Sequence, residues 1–293
     1  MELLQLKYFL HLAQSEHVSQ SAAELHISQP SLSSTIKKLE NELGVPLFVR
    51  NGRNIRLSGY GEIYWDYVRQ SLDALENGRI ALDEKRGFDN RHLSLGMLSP
   101  YIWSDLLYHF GQKYPEIAVD RYSLENSDYC KLLRSGKIDM YIGGVHDLEA
   151  RDFASTFLYE DDIVLLVNKA HPLAQRDAID LRQCGDVRFI NLGEHTSLQQ
   201  FISSMYQEAG LVPASVLECD YTLRDQMVIE NHGVSVTTQA SALSANSDQI
   251  KALPIIFPTK KRILGLIYRK NRLFTPAMKK FHRFTCEYYS KNS

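Results

Sequence analysis

The chain has 293 residues and a formal net charge of −2, with 44% hydrophobic and 23% charged residues, the balance of an ordinary soluble protein with more than one domain. MELLQLKYFLHLAQSE at the start has no basic segment followed by a continuous apolar run, and the densest apolar stretch, IVLLV at 163–167, is too short to span a bilayer; neither a signal peptide nor a membrane partner is expected, and the expected location is cytoplasmic. Cys130, Cys184, Cys219 and Cys286 are scattered without a CxxC pair, and the ten histidines form no HExxH cluster, so no metal site and no cofactor are expected.

Charge is segregated along the chain. Residues 258–293 hold ten basic residues and one acid, whereas 59–257 carry a net −12 and 1–58 a net +1, which points to modules with different partners. In the first segment Leu3, Leu6, Leu10 and Ala13 define an amphipathic helix. SQSAAEL follows Val18; Ser19 is read as the N-cap of a second helix of about two turns, with Val18 and Ala23 as its hydrophobic staple. HIS is the turn into a third helix, with Ser28 as N-cap, Pro30 in a first turn where its missing N–H is harmless, and Gly44 as the left-handed stop. Asn-Gly at 51 and 52, between LFV and IRL, predicts a hairpin. Arg50, Arg53 and Arg56, with no acid from Gly44 to Gly61, make it a small basic wing.

The third helix carries Leu32, Ile36, Leu39 and Leu43 as one narrow stripe, with Pro30, Ser34, Lys37 and Asn41 opposite. Ser28, Ser31, Ser33, Ser34 and Thr35 are poor helix formers. Their small size, however, lets a helix axis approach the floor of the major groove, where Ser, Thr and Gln meet base edges or phosphates. Two helices joined by a short turn, the second with leucines behind and short polar side chains plus lysines in front, make a helix-turn-helix. The helix N-terminus favours a phosphate, and the wing arginines can reach a flanking phosphate or a narrow minor groove. A solvated face is the commoner meaning of one such helix; the order helix, turn, helix, basic hairpin favours DNA.

From 59 to 88, Trp65, Val68, Leu72, Leu75, Arg79 and Leu82 fall at alternating spacings of three and four, the seam of a dimerisation helix or of a helix packed on its own domain. Beyond 90, LSLGML, IAVDRYSL and DMYIGG alternate with helical stretches as a βαβαβ unit. IVLLVN, RFINLG, SVLECD and VSVTT alternate similarly as a second, and RILGLIYR and TPAMKKFHRFTCEYY close the chain as a strand and a helix. The basic residues of that last helix are read as a solvated face, with Met278, Phe281 and Tyr288 or Tyr289 docking on an α/β half.

The stretch FLHLAQSEHVSQSAAELHISQPSLSSTIKKLENELGVPLFVRNGRNIRLSGYGE, with AA-x-x-L, SQPSLS, I-x-x-LE, LG-x-PLF-x-R and LS-x-x-G in register, resembles the signature of LysR-type transcriptional regulators. The rest of the chain is similar to that family's plan. The fold class implied is α+β multidomain: an N-terminal winged helix-turn-helix over 1–58, a long linker helix over 59–88, and a periplasmic-binding-protein-like effector domain over 89–293. Its subdomain I is expected over about 91–162 and 266–293, and subdomain II over about 163–265.

The resemblance implies sequence-specific binding of a double-stranded DNA operator, with Gln29, Pro30 and Ser33 near the DNA and Arg50 and Arg53 on the wing. Ser28, Ser31, Ser34 and Lys37 complete the candidate DNA face. Many members carry a long basic or polar residue at the position of Ser34; a short hydroxyl there removes bidentate guanine reading. Further implied are dimerisation through Trp65, Val68, Leu72, Leu75 and Leu82, a homodimer that doubles to a homotetramer, contact with RNA polymerase, and a small, anionic effector.

Ligands of open α/β halves bind beyond the carboxyl ends of strands, and between two halves the cleft is the default pocket. That selects Ser99 and Pro100, Asn126 and Ser127, Asn191, Thr196 and Ser197, and Asp220 and Thr222, with Tyr101 as a stacking surface. Taken singly, each is more often a cap or turn residue. GxSxG, GxxxxGK and GxGxxG are missing, so an enzyme is not expected. A solute-binding module without DNA binding and a thiol-based redox-sensing regulator are the alternatives.

Overall fold

The structure, a computed structural model, describes residues 1–51, 54–87, 91–97, 103–123, 129–146, 148, 151–194, 196–245 and 247–292. It forms two compact units, residues 1–88 with 271–273 and residues 89–270 with 274–293.

In the first unit α1 (Leu3–Ser15), α2 (Val18–Glu24) and α3 (Gln29–Leu43) close on Phe9, Leu12, Ala22, Leu32, Ile36 and Leu39. α2 begins one residue earlier than its expected cap, with His17 at the N-cap, because Val18 already lies in the helix and packs on this core. Ser19 therefore does not cap; its hydroxyl donates to Gln29 Oε1 at 3.1 Å and ties α2 to the start of α3. The turn between them passes through His26 at φ 55° and is closed by Ile27 N–H donating to Ala22 O at 2.9 Å. α3 starts and stops as its sequence predicts: Ser28 Oγ accepts from Ser31 N–H, Pro30 sits in the first turn, and Gly44 has φ 73°.

β1 (Phe48–Asn51) and β2 (Asn54–Leu57) pair antiparallel, Phe48 opposite Leu57 and Asn51 opposite Asn54. The rest of the expected Asn-Gly turn, residues 52 and 53, lies outside the described residues. The Glu40 carboxylate joins α3 to this wing, accepting from Leu47 N–H at 2.7 Å and Phe48 N–H at 3.2 Å. Hydrogen bonds to a charged group contribute about 1.5–3 kcal/mol each, and removing the acceptor strands two backbone donors. Glu40→Ala is accordingly expected to lower the stability of this unit by about 2–3 kcal/mol in urea unfolding; an unchanged midpoint would refute the role. α4 (Gly59–Lys85) starts at Ser58, whose Oγ accepts from Gly61 N–H at 3.0 Å and donates to Pro46 O at 2.6 Å.

The second unit opens with β3 (His92–Met97), α5 (Ser104–Lys113), β4 (Ala118–Ser123), α6 (Tyr129–Ser135) and β5 (Met140–Gly144), the expected βαβαβ unit with parallel order β4-β3-β5. β6 (Phe153–Asn168) starts ten residues before the apolar run that announced it, because the burial of its first part alternates and its polar side chains hide the strand. Next come β7 (Ile179–Asp180), β8 (Arg188–Leu192), α7 (Ser197–Ala209), β9 (Ala214–Cys219), α8 (Tyr221–Ile229) and β10 (Ser235–Thr238). The chain closes with α9 (Gln239–Ser244), β11 (Ile250–Phe257), β12 (Lys261–Arg269) and α10 (Pro276–Asn292).

The second half is not a plain repeat of the first. β8 and β9 are parallel and touch the rest through the bridge Phe189 to Val234, while β10 and β11 run antiparallel to β6. β6 passes from partner β12 to partners β10 and β11 between Asp162 and Ile163; β12 joins β5 from Leu264 onward. Ile163, Leu165 and Val167 enter one core and Val164 and Leu166 another on the opposite face, which is why IVLLV reads as an unbroken apolar run. α10 docks Met278, Phe281 and Phe284 on the core of the first half beside Leu93, Trp103 and Phe110.

Candidate nucleic-acid interface and effector cavity

Ser28, Gln29, Pro30, Ser31, Ser33, Ser34 and Lys37 are all exposed, around the start and outer side of α3, while Leu32, Ile36 and Leu39 are buried behind them. Several of these groups are engaged locally: Ser28 caps, Gln29 accepts from Ser19, and Ser31 O accepts from Thr35 Oγ1 at 2.9 Å. Pro30, Ser33, Ser34 and Lys37 form the low outer relief. Arg50 is exposed near the end of β1 and shares the hairpin face of Phe48 and Ile55, whereas Arg56, opposite Val49, is on the other face. Arg53 lies outside the described residues.

The expected dimer seam divides. Val68 is buried, and Trp65 and Leu72 are half-buried against the core of their own unit; Leu75 and Leu82 are 59% and 60% exposed. Trp65 is further covered by Arg69, whose guanidinium carbon stands 4.7 Å from the ring centre. The bare apolar side of α4 lies elsewhere: Tyr60, Ile63 and Tyr67 are exposed and continue into the exposed small residues Ala74, Gly78 and Ala81. At 100° per residue this stripe is centred about 120° round the helix from the seam. The three-four spacing of the seam reports packing at its amino-terminal end, where α4 completes the first unit's core.

In the second unit a cavity of about 180 Å³ is lined by Tyr129, Cys130, Gly144, His146, Ser197, Gln200 and Arg262. Arg262 also borders a smaller one of about 30 Å³, lined by the aromatic and aliphatic side chains of Trp103, Ile142, Tyr159, Leu198, Tyr221 and Leu264, by Gly143, and by the polar Asp161, Thr238 and Ser241. Both lie between the two α/β halves, since β5 and α6 supply one wall and α7 and α8 the other. Two glycines shape the floor. A Cβ at Gly143 would fall 2.4 Å from Tyr141 Oη, and one at Gly144 2.7 Å from Arg262 Nη2, so both side chains lie flat on bare backbone.

Of the sequence-selected effector residues, Ser197 lines the larger cavity. Thr196 caps α7 by accepting from Gln199 N–H at 3.2 Å, and Asp220 caps α8 by accepting from Leu223 N–H at 2.8 Å. Thr222 is exposed on α8, and Asn191 lies in β8 with its Oδ1 buried and without a donor among the described residues. These four do not line either cavity; Thr196 and Asp220 instead close the first turns of their own helices. Ser99, Pro100, Tyr101, Asn126 and Ser127 lie outside the described residues.

Two buried arginines set the electrostatics. Arg224 has every nitrogen partnered, with Nε and Nη2 donating to Asp225 Oδ1, Nη1 to Thr237 Oγ1 at 2.7 Å and Nη2 also to Ser241 Oγ at 3.0 Å. Arg262 does not. Asp161, opposite Arg262 on β6, accepts from Ala240 N–H at 3.1 Å; burial raises its carboxyl above the usual range, opposed by Thr238, Ala240 and Arg262. Arg262 and the paired glycines escaped the sequence reading, although an arginine inside RILGLIYR and a Gly-Gly at a strand end were both visible signals.

None of the four cysteines is in a disulfide. Burial pushes Cys184 and Cys286 up and Cys219 up to about 11, the opposite of an activated thiolate. Among the described residues no group of three or more His, Cys, Asp or Glu could hold a metal ion, and no helix is long and apolar enough to cross a membrane.

Comparison with known proteins agrees with this division. Residues 3–62 match the model for the bacterial regulatory helix-turn-helix protein, lysR family, and residues 86–289 the model for the LysR substrate binding domain. The chain is 30% identical to the uncharacterized HTH-type transcriptional regulator YybE of Bacillus subtilis, covering 99% of this chain and 100% of that protein. It is 28% identical to the transcriptional dual regulator GltC of the same organism, over 99% and 98%. Its fold is similar to full-length OxyR from Pseudomonas aeruginosa, with a TM-score of 0.65, 24% identity and coverage of 99% and 97%. CbnR, solved in complex with its target DNA, gives 0.58, 20%, 98% and 99%. With an exposed, low-relief α3 beside a wing, and with the whole chain matched, this protein belongs to the LysR family of transcriptional regulators, joining a helix-turn-helix DNA-binding domain to an effector-binding domain.

Proposed function

We propose that this regulator acts as a homodimer on an interrupted palindromic operator, under control of a small anionic molecule bound between the halves of its second unit. The observation that carries the DNA mode is the pairing of an α3 face of Pro30, Ser33, Ser34 and Lys37 with an exposed Arg50 on the wing. A dimer aligns two such faces with two half-sites about one helical turn apart. The exposed stripe Tyr60, Ile63 and Tyr67 supports a second copy as the partner of α4, and Gly78 strengthens it. Glycine in a helix is about 1 kcal/mol worse than alanine, and among the described residues nothing beyond its own helix lies within 4 Å of where its Cβ would be. Close approach of another helix supplies a reason for it. Doubling to a tetramer and contact with RNA polymerase rest on the family resemblance. The protein works by binding, in the cytoplasm with its DNA, and needs no cofactor.

Gel-shift titrations with the DNA upstream of the chain's own gene, at several salt concentrations, test the interface. Arg50→Ala is expected to weaken binding and reduce the slope of log K against log salt by about 1 per monomer, because one phosphate per half-site is no longer neutralised. An unchanged slope would remove Arg50 from the interface.

A further inference from the structure

Arg262 is 3% exposed, and among the described residues its Nε and Nη1 have no hydrogen-bond partner. Its one bond runs from Nη2 to Ser197 Oγ at 2.7 Å. Buried donors on a charged group are almost always paired, and Arg224, with every nitrogen bonded, shows what a purely structural arginine looks like here. Arg262 lines the cavity of about 180 Å³. The sequence holds the guanidinium there from three sides: β12 carries it, Gly144 of the first half leaves room for it, and Ser197, the first residue of α7, bonds it from the second half.

The geometry points to Arg262 as the receptor for a carboxylate on the effector, with Ser197 as the group that competes for Nη2 and so links occupancy of the site to the spacing of the two halves. A planar guanidinium presents paired N–H donors that match a carboxylate, and the first turn of α7 adds further positive potential on the same side. The cavity, with Tyr129, His146 and Gln200 around it, accommodates a compact metabolite. β6 runs from the first half's sheet into the second, and Arg262 stands on β12 opposite Asp161, beside that crossing, so an anion drawing Arg262 from Ser197 acts on the segment through which the halves' relative position is set. The inference rests on reading this cavity as the effector site.

The test is thermal unfolding of the full chain with acetate, succinate and benzoate, each paired with its neutral amide. The carboxylates are expected to raise the melting temperature more than the amides do. Arg262→Gln is expected to weaken the best of them by about tenfold or more. Should that variant fail to fold, Gly144→Ala keeps the charge but crowds the guanidinium and is expected to weaken binding similarly, whereas Ser197→Ala, which releases Nη2, should bind at least as tightly as the parent. Carboxylates that stabilise no better than their amides, or an undiminished shift in folded Arg262→Gln or Gly144→Ala, would overturn the assignment. Footprints on the operator separate the two levels of inference. Carboxylate binding through Arg262 that leaves the footprint unchanged refutes the effector reading of the cavity; a footprint response that survives Arg262→Gln refutes the receptor alone.

Discussion

Gly61→Ala is expected to destabilise the first unit by about 3 kcal/mol or more, the upper range for forcing a methyl into a filled site, and to abolish DNA binding at growth temperature. A Cβ there would lie 2.0 Å from Leu47 O and 2.9 Å from Leu57 Cδ2. Leu47 O cannot retreat freely, since it accepts Ser58 N–H at 2.9 Å, while Ser58 also holds Pro46 O and caps α4. Relief would mean moving α4 away from the wing and giving up those bonds together. Gly59, two residues earlier, has nothing beyond its own helix and chain neighbours within 4 Å of its Cβ position among the described residues. Gly59→Ala should therefore change stability by no more than about 0.5 kcal/mol. Urea unfolding of the two variants decides it: equal midpoints would show that the close approach is unimportant.

Ile63→Asp combined with Tyr67→Asp is expected to yield a folded monomer with operator affinity lower by about 100-fold or more, the usual gain from joining two half-site contacts. Both residues are more than 60% exposed, so the substitutions leave their own unit's core intact. Sedimentation and circular dichroism read assembly and fold separately. Leu75→Asp with Leu82→Asp is the counterpart on the seam side. If that pair dissociates the dimer while Ile63→Asp with Tyr67→Asp does not, the contact lies on the side the heptad spacing indicated, and the stripe assignment is wrong.

Legibility in the sequence followed how local the determining physics is. The α3 segment was readable from start to stop because its cap, first-turn proline, apolar stripe and terminal glycine act within one or two turns. α10 was readable from its apolar period. β6 was half readable: IVLLV, buried on both faces, announces itself, whereas FASTFLYEDD alternates and does not. Ser19 looks like a cap but bonds Gln29, ten residues away, because Val18 is drawn into the core. The α4 seam was a true periodicity with a divided meaning, since Trp65, Val68 and Leu72 serve an intramolecular core.

At the cavity the same distinction holds. In the sequence Thr196 and Asp220 stand as donors and acceptors near helix starts, and in the structure those groups close their own turns. Ser197, one residue on, turns toward Arg262 from 65 residues away in sequence. By itself, then, the sequence determined the helix-turn-helix, its exposed hydroxyl face, the basic hairpin and the family, because these follow from spacing over a few residues. Only the tertiary structure decided which side of α4 stays bare, why Glu40 and Gly61 belong to the motif, and which charge borders the cavity. Each of those depends on backbone brought together from distant parts of the chain, and no local period encodes it.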